Sequence, residues 1–124
     1  MKGFDSVITF CYTEDIEAVH SFYHGVLGLP LALDQGGCRI YRVAAGGFLG
    51  FCSGRDRRVA DDVTITLVTE DVDAWFDTAV KAGCQVIKPP AETPEYRIYN
   101  CFLKDPAGYT LEIQRFEDPR WQKD

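Results

Sequence analysis

The sequence lacks an apolar run approaching the ~18 residues that a membrane-spanning helix needs, and it lacks an excess of basic residues. Thirteen Lys and Arg stand against nineteen Asp and Glu, which gives a net charge of −6. A nucleic-acid-binding surface needs a basic face, so we expect neither a membrane nor a nucleic acid as a partner. The first residues, MKGFDS, show no signal-peptide pattern, and we expect a cytoplasmic protein.

Cysteine is present, but not in a pattern that indicates disulfides or a metal site. The cysteines number five, which is odd, and none lies in a C-x-x-C motif. Small secreted proteins pair their cysteines, so this pattern favours buried free thiols in a reducing compartment over reactive ones. The residues are Cys11, Cys38, Cys52, Cys84 and Cys101.

An internal repeat organises the 124 residues. Thr-Glu-Asp-Ile-Glu-Ala at 13–18 returns as Thr-Glu-Asp-Val-Asp-Ala at 69–74. Each copy follows a strand-like run and opens a helical pattern, with Asp15 or Asp71 placed to cap the helix. The apolar stripes are Ile16, Val19, Phe22, Tyr23, Val26 and Leu27 in the first helix, and Val72, Trp75, Phe76, Ala79 and Val80 in the second. For a chain of this size, the repeat predicts two half-domains that share a core.

Short strand-like segments surround each helix. They are 7–12, 31–34, 38–43 and 48–52 in the first half, and 63–68, 85–88, 98–103 and 109–115 in the second. Asp105-Pro106-Ala107-Gly108 has the residues of a type I turn and predicts a hairpin. The Pro-rich stretch 89–96 predicts a loop, because it cannot be a central strand.

The predicted architecture is α+β, with two βαβββ modules at about 4–54 and 62–116 within one domain. A charged linker at 55–61 joins them, and a tail follows at 117–124. If the two sheets curve toward each other, the faces turned away from the helices line a cleft of mixed polarity, which is typical of a small-molecule site.

Alternation along the strands selects the residues of that cleft. We predict that these residues bind the ligand: Phe10, Phe48, Cys52, Thr64, Thr66, Glu112 and Gln114. Glu112 is the best candidate for a catalytic group or a ligand anchor, since carboxylates are rarely buried without a reason. By this assignment its neighbours are neutral.

Two motifs resemble those of the vicinal oxygen chelate superfamily, which includes glyoxalase I, bleomycin-resistance proteins and extradiol dioxygenases. Residues 22–30, FYHGVLGLP, are similar to the end of its first helix, and residues 104–113, KDPAGYTLEI, are similar to its terminal hairpin. The resemblance implies paired βαβββ modules around a cleft. It also implies a homodimer in which a second subunit helps to complete the site.

The resemblance places the family's metal ligands at Ile8, Gly50, Thr64 and Glu112. Only Glu112 is a strong ligand, whereas a catalytic divalent ion takes three or more protein ligands. We therefore expect no metal at these positions and no other cofactor. A bound divalent metal remains the alternative. His20 and His24 have the spacing of a helical zinc pair, but without a third ligand we interpret them as flanking helix histidines.

Three functions follow from these observations. The first is a small-molecule-binding protein without the usual metal site, which sequesters an aromatic or cationic compound as bleomycin-resistance proteins do. The second is a glyoxalase-like or dioxygenase-like lyase or oxidoreductase with an atypical metal site. The third is an interaction module with a collapsed cleft. The ligand count favours the first.

Overall fold

The order strand–helix–strand–strand–strand occurs twice in the computed structural model, which describes residues 1–53 and 63–121. The chain divides into two units, Met1–Ala60 and Asp61–Asp124, and each contains one mixed four-stranded sheet. The α+β class is therefore confirmed. The predicted linker at 55–61 lies outside the described residues, and the common cleft stays a prediction. None of the helices in the described ranges is long and apolar enough to cross a membrane.

The sheet of the first unit has the order β1-β4-β3-β2. Strand β4 pairs in parallel with β1 and antiparallel with β3, so the first and last strands of the unit are neighbours. The strands are β1 (Val7–Tyr12), β2 (Leu31–Asp34), β3 (Cys38–Ala44) and β4 (Gly47–Cys52).

The helical segment of the first unit changes its winding halfway. Helix α1 (Ile16–His20) continues directly into a π-helical segment, Ser21–Val26. The predicted apolar stripe is present, and its most buried members are Val19, Phe22 and Tyr23. The wider turn is the part that the regular helical period did not predict.

The sheet of the second unit repeats this topology in the order β5-β8-β7-β6. Strand β8 lies parallel to β5 and antiparallel to β7. The strands are β5 (Thr64–Val68), β6 (Gln85–Thr93), β7 (Ile98–Lys104) and β8 (Thr110–Phe116). Apart from β6, every predicted strand boundary agrees with the structure to within one residue.

Strand β6 corrects the prediction of a loop at 89–96. It extends through Pro89 and Pro90 to Thr93, with register shifts against β7 on either side of Lys88. Proline cannot donate to a ladder, but an edge strand with bulges tolerates it. The residues indeed exclude a central strand, yet they do not exclude an edge strand.

Helix α2 (Val72–Lys81) packs its stripe, centred on the fully buried Val72 and Ala79, against strands β6 to β8. It ends in a Schellman motif, in which Gly83 N donates to Val80 O and Cys84 N to Ala79 O. The required left-handed backbone at Gly83 (φ 95°) explains the glycine.

The two predicted N-caps differ. The Asp15 carboxylate accepts from Ala18 N at 3.0 Å, as predicted. Asp71 occupies the N-cap position of α2, but among the described residues its side chain makes no capping bond. The threonine two residues earlier, Thr13 or Thr69, accepts from the aspartate N–H in both copies, and this shared bond accounts for the threonine of the repeat.

The turn between β7 and β8 is built on Asp105, which is 5% exposed. Its Oδ1 accepts from Ala107 N at 2.9 Å and from Tyr109 N at 2.8 Å, while Gly108 N donates to Asp105 O at 3.0 Å. The predicted hairpin is confirmed, and one carboxylate oxygen holds two backbone amides of its turn.

Replacing Asp105 should therefore destabilise the second unit. We expect Asp105→Ala to lower the free energy of unfolding by about 1–3 kcal/mol, since it leaves buried amides without an acceptor. Asp105→Asn keeps an oxygen at the same place and should lose less. Urea denaturation measures both, with the exposed Asp77→Ala as the control. Equal losses for Asp105→Ala and Asp77→Ala would contradict this role of the turn.

Candidate ligand-binding site

The face of the second sheet that turns away from α2 carries a row of polar side chains. Along β8, Leu111 and Ile113 are buried on the helix side, so Glu112 and Gln114 lie on the opposite face. The register places Phe102 beside Glu112 and Asn100 beside Gln114 on the neighbouring β7. The alternation predicted for β8 is confirmed.

A pocket of about 620 Å³ opens on this face, and we call it the Glu112 pocket. Its walls combine aromatic and apolar side chains with a few polar groups, which is the usual composition of a small-molecule site. The residues that line it are Lys88, Thr93, Tyr96, Ile98, Asn100, Phe102, Glu112, Gln114 and Phe116.

Both carboxylate oxygens of Glu112 are held by neutral donors. Thr66 Oγ1 donates to Oε1, and Asn100 Nδ2 donates to Oε2, each at 2.8 Å. Glu112 is 7% exposed, so these bonds replace most of the water that a carboxylate would otherwise bind. Thr66 was predicted on this face, whereas Asn100 was not.

Asn100 connects this carboxylate to a cation. Its Oδ1 accepts from Lys88 Nζ and from Thr93 Oγ1, each at 2.8 Å, and Lys88 Nζ also lies 3.3 Å from Asn100 O. The amide therefore has its oxygen toward the ammonium and its nitrogen toward the carboxylate. This orientation polarises the amide and strengthens both bonds. The direct donors to Glu112 are neutral, as expected, and the ammonium of Lys88 lies one residue further along the network.

Gln114 contributes the exceptional atom of the pocket. The residue is only 9% exposed, and its Oε1 is buried with no hydrogen-bond donor among the residues that the structure describes. A buried acceptor without a donor costs about 1–3 kcal/mol. An N–H or O–H group of a bound molecule would remove that cost.

The remaining predicted ligand-binding residues lie elsewhere. Thr64 is exposed and stands opposite Thr110 near the start of β5. Phe10, Phe48 and Cys52 lie in the first unit, on one face of its sheet. The structure thus brings together Thr66, Glu112 and Gln114, while the other four stay predictions.

The residues at the implied metal positions do not form a donor set. A β-carbon at Gly50 would lie 2.5 Å from Cδ1 of Phe10, so the ring of Phe10 covers that position. Ile8 has no donor atom and Thr64 offers only a hydroxyl, so Glu112 is the one strong ligand among these four positions. Within residues 1–53 and 63–121, no group of three or more His, Cys, Asp or Glu side chains could hold a metal ion. The usual family metal therefore does not fit these residues.

His20 at the end of α1 and His24 in the π-helical segment both have local partners. Nδ1 of His20 lies 2.9 Å from Tyr41 Oη, and Nδ1 of His24 lies 2.8 Å from Leu29 O. Their rings stack with centroids 4.8 Å apart. These contacts agree with the interpretation of flanking helix histidines.

Reasoning from the sequence missed Asn100, Lys88 and Thr93. Asn100 could have been found, because the predicted hairpin fixes the register of β7 against β8 and places it beside Gln114. Lys88 and Thr93 belong to the irregular edge strand, where two register shifts break the alternation. No simple period predicts which way their side chains point.

Two mixed sheets, of the orders β1-β4-β3-β2 and β5-β8-β7-β6, each with a helix between its first two strands in the chain, define a paired βαβββ protein. The family model of the Glyoxalase/Bleomycin resistance protein/Dioxygenase superfamily matches residues 6–113. The chain belongs to this superfamily. No curated protein matches the sequence.

Solved structures agree on the fold. A glyoxalase-related enzyme from Fulvimarina pelagi is 18% identical with a TM-score of 0.79, covering 94% of this chain and 90% of that one. A glyoxalase/bleomycin resistance protein/dioxygenase family enzyme from Burkholderia phytofirmans PsJN is 23% identical with a TM-score of 0.76, covering 87% and 95%. A lactoylglutathione lyase from Agrobacterium tumefaciens is 20% identical with a TM-score of 0.74, covering 93% and 96%. At these identities the likeness shows the fold alone.

The poor donor set generates a prediction about metal content. Protein purified without a histidine tag should carry no stoichiometric Zn, Ni, Mn or Fe in elemental analysis. Chelators destabilise a protein whose fold depends on a bound metal. Because we expect no such metal here, EDTA should leave the melting temperature unchanged. One metal per chain, removed by EDTA together with stability, would contradict this prediction.

Proposed function

We propose that this protein binds a small molecule in the Glu112 pocket without the metal site of its superfamily, and that the ligand is a cationic or aromatic compound with an N–H donor. The observation that carries the proposal is the buried Oε1 of Gln114, an acceptor without a donor in the described part of the chain. A ligand N–H placed there would satisfy an atom that the fold has already desolvated.

The electrostatics of the pocket favour a cation near Glu112. The ammonium of Lys88 donates to Asn100 Oδ1, and Asn100 Nδ2 donates to Glu112, so the amide lies between the cation and the carboxylate. A cationic ligand would give Glu112 a direct partner in a site shielded from water, where charge-assisted hydrogen bonds are strong.

The walls favour a planar apolar body. Tyr96, Phe102 and Phe116 line the pocket together with Ile98, so its walls combine aromatic and aliphatic surface. Aromatic side chains pack against flat ligands in offset or edge-on arrangements. Sequestration requires no more than such a wall with a few oriented polar groups.

The alternative is a glyoxalase-like or dioxygenase-like lyase or oxidoreductase with an atypical metal site. It needs ligands in addition to Glu112, whose oxygens accept from Thr66 and Asn100. The metal measurement given above separates the two functions. Binding is favoured because it uses the groups of the pocket as they stand.

Benzamidine, a planar aromatic cation with N–H donors, is a suitable probe. We expect it to raise the melting temperature and to titrate the protein calorimetrically, whereas benzoate should do neither. Glu112→Gln should weaken benzamidine by about 1–3 kcal/mol, the scale of a charge-assisted hydrogen bond. The exposed Glu14→Gln is the matched control and should bind as the wild type does.

Neutral benzamide separates the two polar anchors. It keeps an N–H donor for Gln114 but lacks the charge for Glu112, so Glu112→Gln should affect it little, while Gln114→Met should weaken both probes. A Glu112→Gln protein that loses several kcal/mol of stability yet binds benzamidine unchanged would make Glu112 a structural carboxylate. That result would overturn the proposal.

We further propose a homodimer. Several apolar side chains of β1 and β5 are exposed, among them Phe10 (46%) and Val68 (53%), and a second subunit would cover such surface. Light scattering at micromolar concentration should give twice the chain mass of 13.9 kDa. A particle of the single-chain mass would contradict the dimer.

A further inference from the structure

Two of the five cysteines face each other across neighbouring strands. Cys38 begins β3 and Cys52 ends β4, and the antiparallel register pairs them directly. They therefore lie on the same face of the first sheet. Both side chains are partly accessible and both are free thiols.

The backbone hydrogen bonds identify the kind of pair. Cys38 O accepts from Gln35 N at 2.8 Å, and Cys52 O accepts from Thr13 N at 3.0 Å, so both carbonyls point away from the β3–β4 ladder. The flanking residues, Gly37 and Ser53, form the ladder bond between Ser53 N and Gly37 O at 2.8 Å. Cys38 and Cys52 thus form a non-hydrogen-bonded pair.

This kind of pair is the closer of the two in an antiparallel sheet. Its α-carbons are typically about 4.5 Å apart, which falls within the range of about 4.4–6.8 Å found for disulfides. The two thiols are within hydrogen-bonding reach of each other. The pKa of Cys38 is raised to about 11, mainly by burial and to a smaller extent by its hydrogen bond with Cys52. The two sulfurs can therefore be joined without moving the strands apart.

The other cysteines have no such arrangement. Cys11 stands opposite Phe51 and Cys101 opposite Ile113 in their sheets, and both are buried. Burial also raises the pKa of Cys101 to about 11. Cys84 follows the end of α2, outside the strands. In the described part of the chain, only the pair on β3 and β4 consists of two thiols in register.

We propose that Cys38 and Cys52 form a redox modification site, which a low-molecular-weight disulfide such as oxidised glutathione converts reversibly into a cross-strand disulfide. Cross-strand disulfides that remain accessible are the labile kind, which reduced glutathione can reopen. The bond would tie the start of β3 to the end of β4.

The reaction balances in two exchange steps. The Cys52 thiolate attacks oxidised glutathione, forming a mixed disulfide on Cys52 and releasing one glutathione thiolate. The Cys38 thiol then loses its proton to solvent, attacks the Cys52 sulfur and displaces the second glutathione. Two protein thiols are oxidised, and one glutathione disulfide is reduced to two glutathione thiols.

The test uses the full chain in mildly alkaline glutathione buffers of increasing oxidised fraction. Intact mass spectrometry should show a loss of two thiols without a glutathione adduct, and excess reduced glutathione should restore both. Tryptic mapping should find the peptide with Cys52 linked to the peptide with Cys38. The Cys11→Ser background removes the second cysteine of the latter peptide.

Single variants show whether the pair acts as a unit. Cys38→Ser should retain a stable glutathione adduct on Cys52, because the second thiol is missing, while Cys84→Ser should behave as the wild type. Two findings would each overturn the proposal. One is a folded wild type that keeps all its thiols in fully oxidised glutathione, and the other is an intrachain disulfide that forms equally in Cys38→Ser.

Discussion

The site depends on the register of one hairpin. The turn at Asp105 sets β7 against β8, with two backbone amides held by a single carboxylate oxygen. A slip of one residue would exchange the faces of β8, moving Glu112 toward α2 and Leu111 into the pocket. Because Leu111 is fully buried, such a slip would expose core and bury a charge at the same time. The position of the polar row is thus enforced by the apolar row behind it.

The charged groups of the pocket are organised by an amide rather than by direct pairing. Asn100 is 3% exposed and accepts from two donors while it donates to Glu112. A direct ion pair of Lys88 and Glu112 would neutralise both groups and leave little for a ligand. Because the amide of Asn100 lies between them, Lys88 and Glu112 each keep part of their electrostatic field, and the buried carboxylate is oriented as a hydrogen-bond acceptor. This arrangement differs from a metal centre, in which several anionic or imidazole ligands converge on one point.

Most of the fold could be predicted from the sequence, because alternation along the strands and two amphipathic helical stripes leave few other solutions. The face of Glu112 follows from Leu111 and Ile113 alone. The sequence did not predict the π-helical segment or the course of β6, because neither follows a regular period. The register shifts around Lys88 determine where its ammonium points. That the buried Oε1 of Gln114 has no donor among the described residues also follows only from the three-dimensional structure, because no sequence pattern shows which donors fail to reach it.

Strand β6 has a consequence for the behaviour of the protein in concentrated solution. It is the edge of its sheet, and an exposed edge is a template for another strand. Because N–H groups alternate in direction along a strand, Pro89 and Pro90 remove one donor from that free edge and one from the side that faces β7, and the register shifts beside them break the regular spacing. An incoming chain would find neither a continuous ladder nor a flat ribbon. The register shifts around Lys88, which made its orientation unpredictable from the sequence, thus also protect the sheet from edge-to-edge aggregation.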